Sequence, residues 1–161
     1  MNKKILLKRA EDYYIKVLLK QVKLSEIMST PVFSVDINEK FTEIPKKFRQ
    51  HHIRHLPIIG GDNKLVGLIS QKDLFRIHPP HKTLDGEWLY DEKALEDIIL
   101  KHVMLQNPFF MYENDCMGAA IVKFVQHKYG CIPIVNQDMQ LKGIVTQEDV
   151  LGIAAQIFLE E

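Results

Sequence analysis

The sequence predicts an α+β fold built from two copies of one β-α-β-β-α unit. Three observations predict it. The stretch Gly67-Leu68-Ile69-Ser70-Gln71-Lys72-Asp73 recurs as Gly143-Ile144-Val145-Thr146-Gln147-Glu148-Asp149, at an offset of 76 residues (143 − 67). The apolar-proline run Leu56-Pro57-Ile58-Ile59 recurs as Ile132-Pro133-Ile134-Val135 at the same offset. Each pair of strand patterns follows a segment with apolar residues at helical spacing. Register held over such a distance marks an internal repeat.

In chain order, residues 4–20 place Leu6, Ala10, Tyr13, Tyr14, Val17 and Leu18 on one helical face. That helix must pack on its own domain or on a partner. Ser25 is placed to cap a short helical turn before Pro31, and a strand is expected over Val32-Phe33-Ser34-Val35. Phe41, Ile44, Phe48 and His52 then recur at helical spacing, with the helix starting near Thr42 so that Pro45 falls in its first turn. Leu56 to Ile59 and Leu65 to Ser70 read as a hairpin around Gly60-Gly61-Asp62-Asn63. A second helix follows over residues 71–76.

The second copy answers in kind. Met104 corresponds to Met28, and Pro108-Phe109-Phe110 to Pro31-Val32-Phe33. A helix is expected over residues 115–128. Between the copies, His78-Pro79-Pro80-His81 breaks the pattern, Asp85-Gly86 signals a turn, Trp88-Leu89-Tyr90 suits a short strand or a patch covering an edge, and residues 94–101 read as helix. The expected organisation is an N-terminal helix over 1–21, a first repeat over 22–77, an ordered connector over 78–97, and a second repeat over 98–161.

Composition limits function. Lys+Arg and Asp+Glu are equal at 21 each, which leaves no global charge for nucleic acid or an anionic membrane. Apolar content of 46% is ordinary for a soluble domain, and no apolar run is long enough to span a bilayer. Cys116 and Cys131 give no disulfide framework and read as small core residues. Charges at Lys8, Arg9, Glu11 and Asp12 argue against a signal peptide. A cytoplasmic setting is expected.

The chemistry centres on the repeated hydroxyl-x-x-Asp element. Ser70 and Thr146 sit where a strand passes into a helix, with Asp73 and Asp149 at the third helical position. Taken alone, each is a capping box that satisfies free N–H groups. Taken as a site, each carboxylate faces a crevice at a helix N-terminus, where it can accept two neighbouring hydroxyls such as those of a ribose, beside a place for phosphate. Gly67 and Gly143 sit inside strands, where a flat ligand or another backbone can come close. His51, His52 and His55 lack acidic or thiol partners at metal-ligand spacing and read as surface residues. Met104, Met111, Met117 and Met139 read as core filling. No nucleophile or metalloprotease motif supports catalysis.

With Met28, Pro31, Leu56-Pro57, Gly67, Ser70, Asp73 and their second copies in view, the chain resembles a CBS domain pair over about residues 22–77 and 98–155. The resemblance implies two repeats packed sheet to sheet about a pseudo-twofold axis, with clefts that in many members take AMP, ADP, ATP, S-adenosylmethionine or dinucleotides. It implies a first cleft of Thr30, Val32, Arg54, His55, Leu56, Ser70 and Asp73, and a second of Asn107, Phe109, Cys131, Ile132, Thr146 and Asp149. The basic residues Arg54, His55, Lys72 and Arg76 direct a charged nucleotide to the first cleft. The second is expected empty or holding an uncharged adenosyl group. The expected function is a non-catalytic sensor that needs no cofactor, binds an adenosine ligand, forms a homodimer and regulates another protein. The alternatives are a ligand-free assembly scaffold and a small nucleotide hydrolase.

Overall fold

Helix α1 (Ala10–Gln21) opens the described part of the chain, a computed structural model covering residues 10–159. The expected helical positions before Ala10, and the charges at Lys8 and Arg9, lie outside the described residues. Helix α1 packs on the second repeat: a Cβ added at Gly118 would lie 3.2 Å from the Leu19 carbonyl oxygen. Among the described residues, no helix is long and apolar enough to cross a membrane.

The first repeat runs through α2 (Leu24–Ile27), β1 (Val35–Asp36), α3 (Glu43–Gln50), β2 (His55–Ile59), β3 (Leu65–Ser70) and α4 (Gln71–Ile77). Strand β1 is parallel to β2, and β2 is antiparallel to β3. The turn between β2 and β3 is a short 3-10 segment, with Asp62 and Asn63 at φ of 58° and 60°, a left-handed geometry that both side chains tolerate. The connector holds a hairpin of β4 (His81–Lys82) and β5 (Trp88–Leu89), then α5 (Glu92–Glu96). The second repeat runs through α6 (Leu100–Val103), β6 (Leu105–Gln106), β7 (Met111–Tyr112), α7 (Met117–His127), β8 (Cys131–Val135), β9 (Leu141–Thr146) and α8 (Gln147–Leu159). Its strands repeat the first pattern, with β7 parallel to β8 and β8 antiparallel to β9.

Several elements depart from expectation. The strand expected from Val32 shortens to β1, because Phe33 leaves the sheet and stacks on His51 with ring centroids 3.8 Å apart. Ser25 does not cap α2; the cap is Lys23, whose N–H donates to Glu26 Oε2 at 2.7 Å. The helix expected over 94–101 divides into α5 and α6, with Ile98 between them packed against the first core.

The two repeats exchange their leading segments. Leu24 of α2 is fully buried in the second repeat's core, beside Ala120, Phe124 and Ile132. Leu100 and Met104 are buried in the first repeat's core, beside Leu56, Ile58 and Leu74. Ser29 exchanges backbone hydrogen bonds with Ile144 (2.9 and 3.3 Å), and β6 pairs antiparallel with β3. Burying one leucine side chain stabilises by about 2–3 kcal/mol, so each exchanged segment contributes materially to the other repeat. Gly67 and Gly143 permit this crossing. An added Cβ would lie 2.5 Å from Met104 Sδ and 2.5 Å from Met28 Sδ respectively. A methionine side chain from the opposite repeat, rather than a ligand or a backbone, fills the space each glycine leaves. A third apolar cluster, with Leu65, Val135 and Leu141, joins the two sheets. The turns reciprocate across it: Asn63 Nδ2 donates to the Leu141 carbonyl at 3.0 Å, and Gln140 Nε2 to the Asp62 carbonyl at 3.1 Å.

Candidate functional site

Each repeat ends its hairpin by turning a strand directly into a helix. Ser70 keeps an extended backbone (φ −115°, ψ 162°) and caps α4. Asp73 Oδ2 accepts the Ser70 N–H at 3.0 Å and the Ser70 hydroxyl at 2.6 Å, while the Asp73 N–H donates back to Ser70 Oγ at 3.2 Å. Thr146 and Asp149 repeat this at 2.6, 2.6 and 3.3 Å. Both capping boxes are therefore formed, and each uses one carboxylate oxygen. The remaining oxygens differ. Asp149 Oδ1 accepts the Ser29 hydroxyl at 3.3 Å, across the two repeats. Asp73 Oδ1 lies 3.9 Å from Arg76 on its own helix.

A cavity of about 270 Å3 opens beside Asp149. Val32, Ile53, Arg54 and His55 line it from the first repeat, and Ile144, Thr146, Glu148 and Asp149 from the second. The sequence grouped Val32, Arg54 and His55 with Ser70 and Asp73; the structure sets Val32 beside Thr146 and Asp149, and places Arg54 and His55 between that cavity and a hollow that Ser70 lines. The exchanged segment is the cause. Ser29 is bonded to β9, which draws Pro31, Val32 and Phe33 alongside the second repeat's helix start.

The other expected residues divide. Leu56 and Ile132 are fully buried and Cys131 is 5% exposed, so these side chains pack in the interior rather than lining a cleft. Burial pushes the Cys131 thiol up to about 12. Thr30 is exposed but does not line the cavity. Asn107 is exposed with φ of 48°. Phe109 stacks on Tyr129 at 5.2 Å and 15°, with Lys123 Nζ 5.6 Å from the Phe109 ring centre. Phe109 and Tyr129 stand at the sequence positions that match Val32 and Ile53 of the first repeat, so two stacked aromatic rings replace two aliphatic side chains.

A second hollow, about 650 Å3, lies where the starts of α4 and α8 meet, lined by Ser70, Gln71 and Lys72 facing Thr146, Gln147 and Glu148. Arg54, His55, Thr146 and Glu148 line both hollows and form their shared boundary. Arg54 and Glu148 are ion-paired across it. His55 rests on Gly130, where a Cβ would lie 2.7 Å from its Nε2. Burial holds the His55 pKa below its ordinary value and Arg54 lowers it further, with Asp73 and Glu148 opposing in part. Burial thereby favours the neutral imidazole.

Sequence reasoning missed Ser29, Ile53 and Glu148 as cavity residues. Glu148 carried a signal: it is acidic where the first repeat has Lys72, and Arg54 is basic where the second has Gly130. Those opposite charges match only if the repeats are read against each other.

Comparison with known proteins accords with this architecture. The chain is 28% identical over 142 residues to an L-aspartate semialdehyde sulfurtransferase of Methanocaldococcus jannaschii, covering 88% of this chain and 25% of that protein. It thus spans about a quarter of the length of the first curated relatives it matches. Its fold matches the CBS domain pair of MJ0100, solved with 5′-methylthioadenosine and S-adenosyl-L-methionine, at a TM-score of 0.68 and 23% identity over 84% of this chain and 97% of that one. It also matches CBSX2, solved with AMP, at 0.70 and 18% over 84% and 98%. The CBS domain model matches residues 24–79 and again 100–155. The chain belongs to the CBS domain family and carries two such domains in tandem.

Proposed function

We propose that this CBS pair is a non-catalytic regulatory module that binds one adenosine-bearing ligand in the cavity beside Asp149. The observation that carries the reading is the Ser29–Asp149 contact. It sets a hydroxyl and the carboxylate oxygen outside the capping box on the wall of a cavity at a helix start, an arrangement that suits the adjacent hydroxyls of a ribose. Val32 and Ile53 offer apolar faces for a base, and Arg54 offers a cation for a phosphate. The ligands named for MJ0100 and CBSX2 are all adenosine compounds, which supports the class. This assigns the charged nucleotide to the Thr146/Asp149 site and leaves the Phe109/Tyr129 side closed.

Occupancy is transmitted to another protein, in a homodimer, by favouring one packing of the two repeats over another. Calorimetric titration with AMP and with 5′-methylthioadenosine tests the reading. One site per chain, lost in Asp149→Ala and kept in Asp73→Ala, supports it. Absence of binding by both compounds favours the scaffold reading, which the two formed capping boxes also suit.

A further inference from the structure

We propose that the Arg54–Glu148 ion pair is a charge-selective latch between the two repeats, which a ligand bearing a 5′-phosphate must open and an uncharged 5′-thioether nucleoside leaves shut. The proposal rests on the adenosine reading above and adds to it a rule for which ligands change the coupling between repeats.

Arg54 lies in the loop that leads into β2 of the first repeat, and Glu148 in the first turn of α8 of the second. Both line the cavity beside Asp149, and both line the larger hollow beyond it. The pair is thus part of the partition between the two spaces. It has no counterpart about the pseudo-twofold axis, where Gly130 and Lys72 stand at the matching positions. The latch belongs to one site.

Charge decides how it responds. A phosphate entering the cavity meets a guanidinium that suits it bidentately and a carboxylate that repels it. The two side chains are 58% and 72% exposed, so their mutual attraction is screened and easily exchanged. Arg54 turns to the phosphate, and Glu148 swings into the larger hollow, where Lys72 and Lys128 line the wall. The loop carrying Arg54 is then released from α8. A neutral nucleoside presents nothing to compete for Arg54, and the tie between the repeats persists.

The test is calorimetry with AMP and 5′-methylthioadenosine on the full chain, its Glu148→Gln and Arg54→Gln variants, and the double variant, each checked for an unchanged melting profile. Glu148→Gln is expected to tighten AMP by about two- to fivefold, the span of a screened ion pair, and to leave 5′-methylthioadenosine within about twofold. Arg54→Gln is expected to weaken AMP by at least about tenfold. In the Arg54→Gln background the gain from Glu148→Gln shrinks, because no cation remains to be freed. An equal gain in both backgrounds reduces Glu148 to simple repulsion and overturns the latch. Equal shifts for both ligands overturn it too, while leaving the adenosine reading intact. Failure of the unaltered protein to bind either compound overturns both.

Discussion

Ser29 and Asp149 meet at 3.3 Å although 120 positions separate them in sequence. That contact exists because the segment leading into the first repeat is bonded into the sheet of the second. It makes the two hydroxyl-x-x-Asp elements unequal despite matching capping geometry, since among the described residues no side chain of the other repeat donates a hydrogen bond to Asp73, whose second oxygen faces Arg76.

Replacing the two aspartates separates capping from binding. Asp149→Ala and Asp73→Ala each remove the two hydrogen bonds that the carboxylate accepts from its capping residue, and each is expected to lower stability by about 0.5–2 kcal/mol in urea unfolding. Only Asp149→Ala is expected to weaken AMP, by about 10–150-fold, the worth of a hydrogen bond to a charged group. Equal losses of affinity in the two variants would return both carboxylates to equivalent roles.

Glycine replacements have opposite signs at different places. Gly143→Ala drives a Cβ to 2.5 Å from Met28 Sδ and 3.1 Å from Met28 Cβ, and is expected to cost about 1–3 kcal/mol by overpacking. Gly152 lies within α8 with nothing within 4 Å of an added Cβ, and Gly152→Ala is expected to stabilise by about 0.5–1 kcal/mol. Denaturant midpoints read both, and a stabilising Gly143→Ala contradicts the methionine crossing.

His55 gives stability a pH dependence of known sign. Its folded pKa lies below the ordinary 6.5, so below that pH the unfolded chain binds more protons than the native one. Stability is fully present above about pH 7.5 and falls as pH drops through 6.5 towards the folded value. Melting temperatures from pH 8 to 5.5 are expected to fall more steeply for the unaltered protein than for His55→Gln. Identical slopes would show that His55 is equally protonatable in both states.

The Phe109–Tyr129 stack is open to a direct exchange. Phe109→Val with Tyr129→Ile gives the second repeat the side chains that the first presents to its cavity. The double variant is expected to lose about 1–3 kcal/mol of packing and to raise the stoichiometry for 5′-methylthioadenosine from one to two per chain. A folded variant that still binds one ligand shows that the aromatic stack is not what closes that side.

What could be read in the sequence was local. The N-caps Ser70 and Thr146, the strands through Pro57 and Pro133, and the helix beginning after Thr42 follow from short-range signals: capping chemistry, alternation and turn residues. Those signals say nothing about which sheet Leu24 or Leu100 docks into. Either core offers an apolar surface, and the choice is settled by Met28 over Gly143 and Met104 over Gly67, contacts made only in the assembled fold. The grouping of Arg54 and His55 with Ser70 and Asp73 captured one side of their surroundings and left out Thr146 and Glu148 on the other. Neighbours were assigned within a repeat, and the cavity is built between repeats.

The exchange of α2 and α6 ties the fate of one half to the other. Neither repeat can melt while its neighbour stays intact, because each holds a piece of the other's interior, and heating should give a single transition. Leu84 stands fully solvent-exposed at the tip of the connector hairpin. A protease cutting there would break the chain yet leave two fragments clasped together, copurifying until a denaturant parts them.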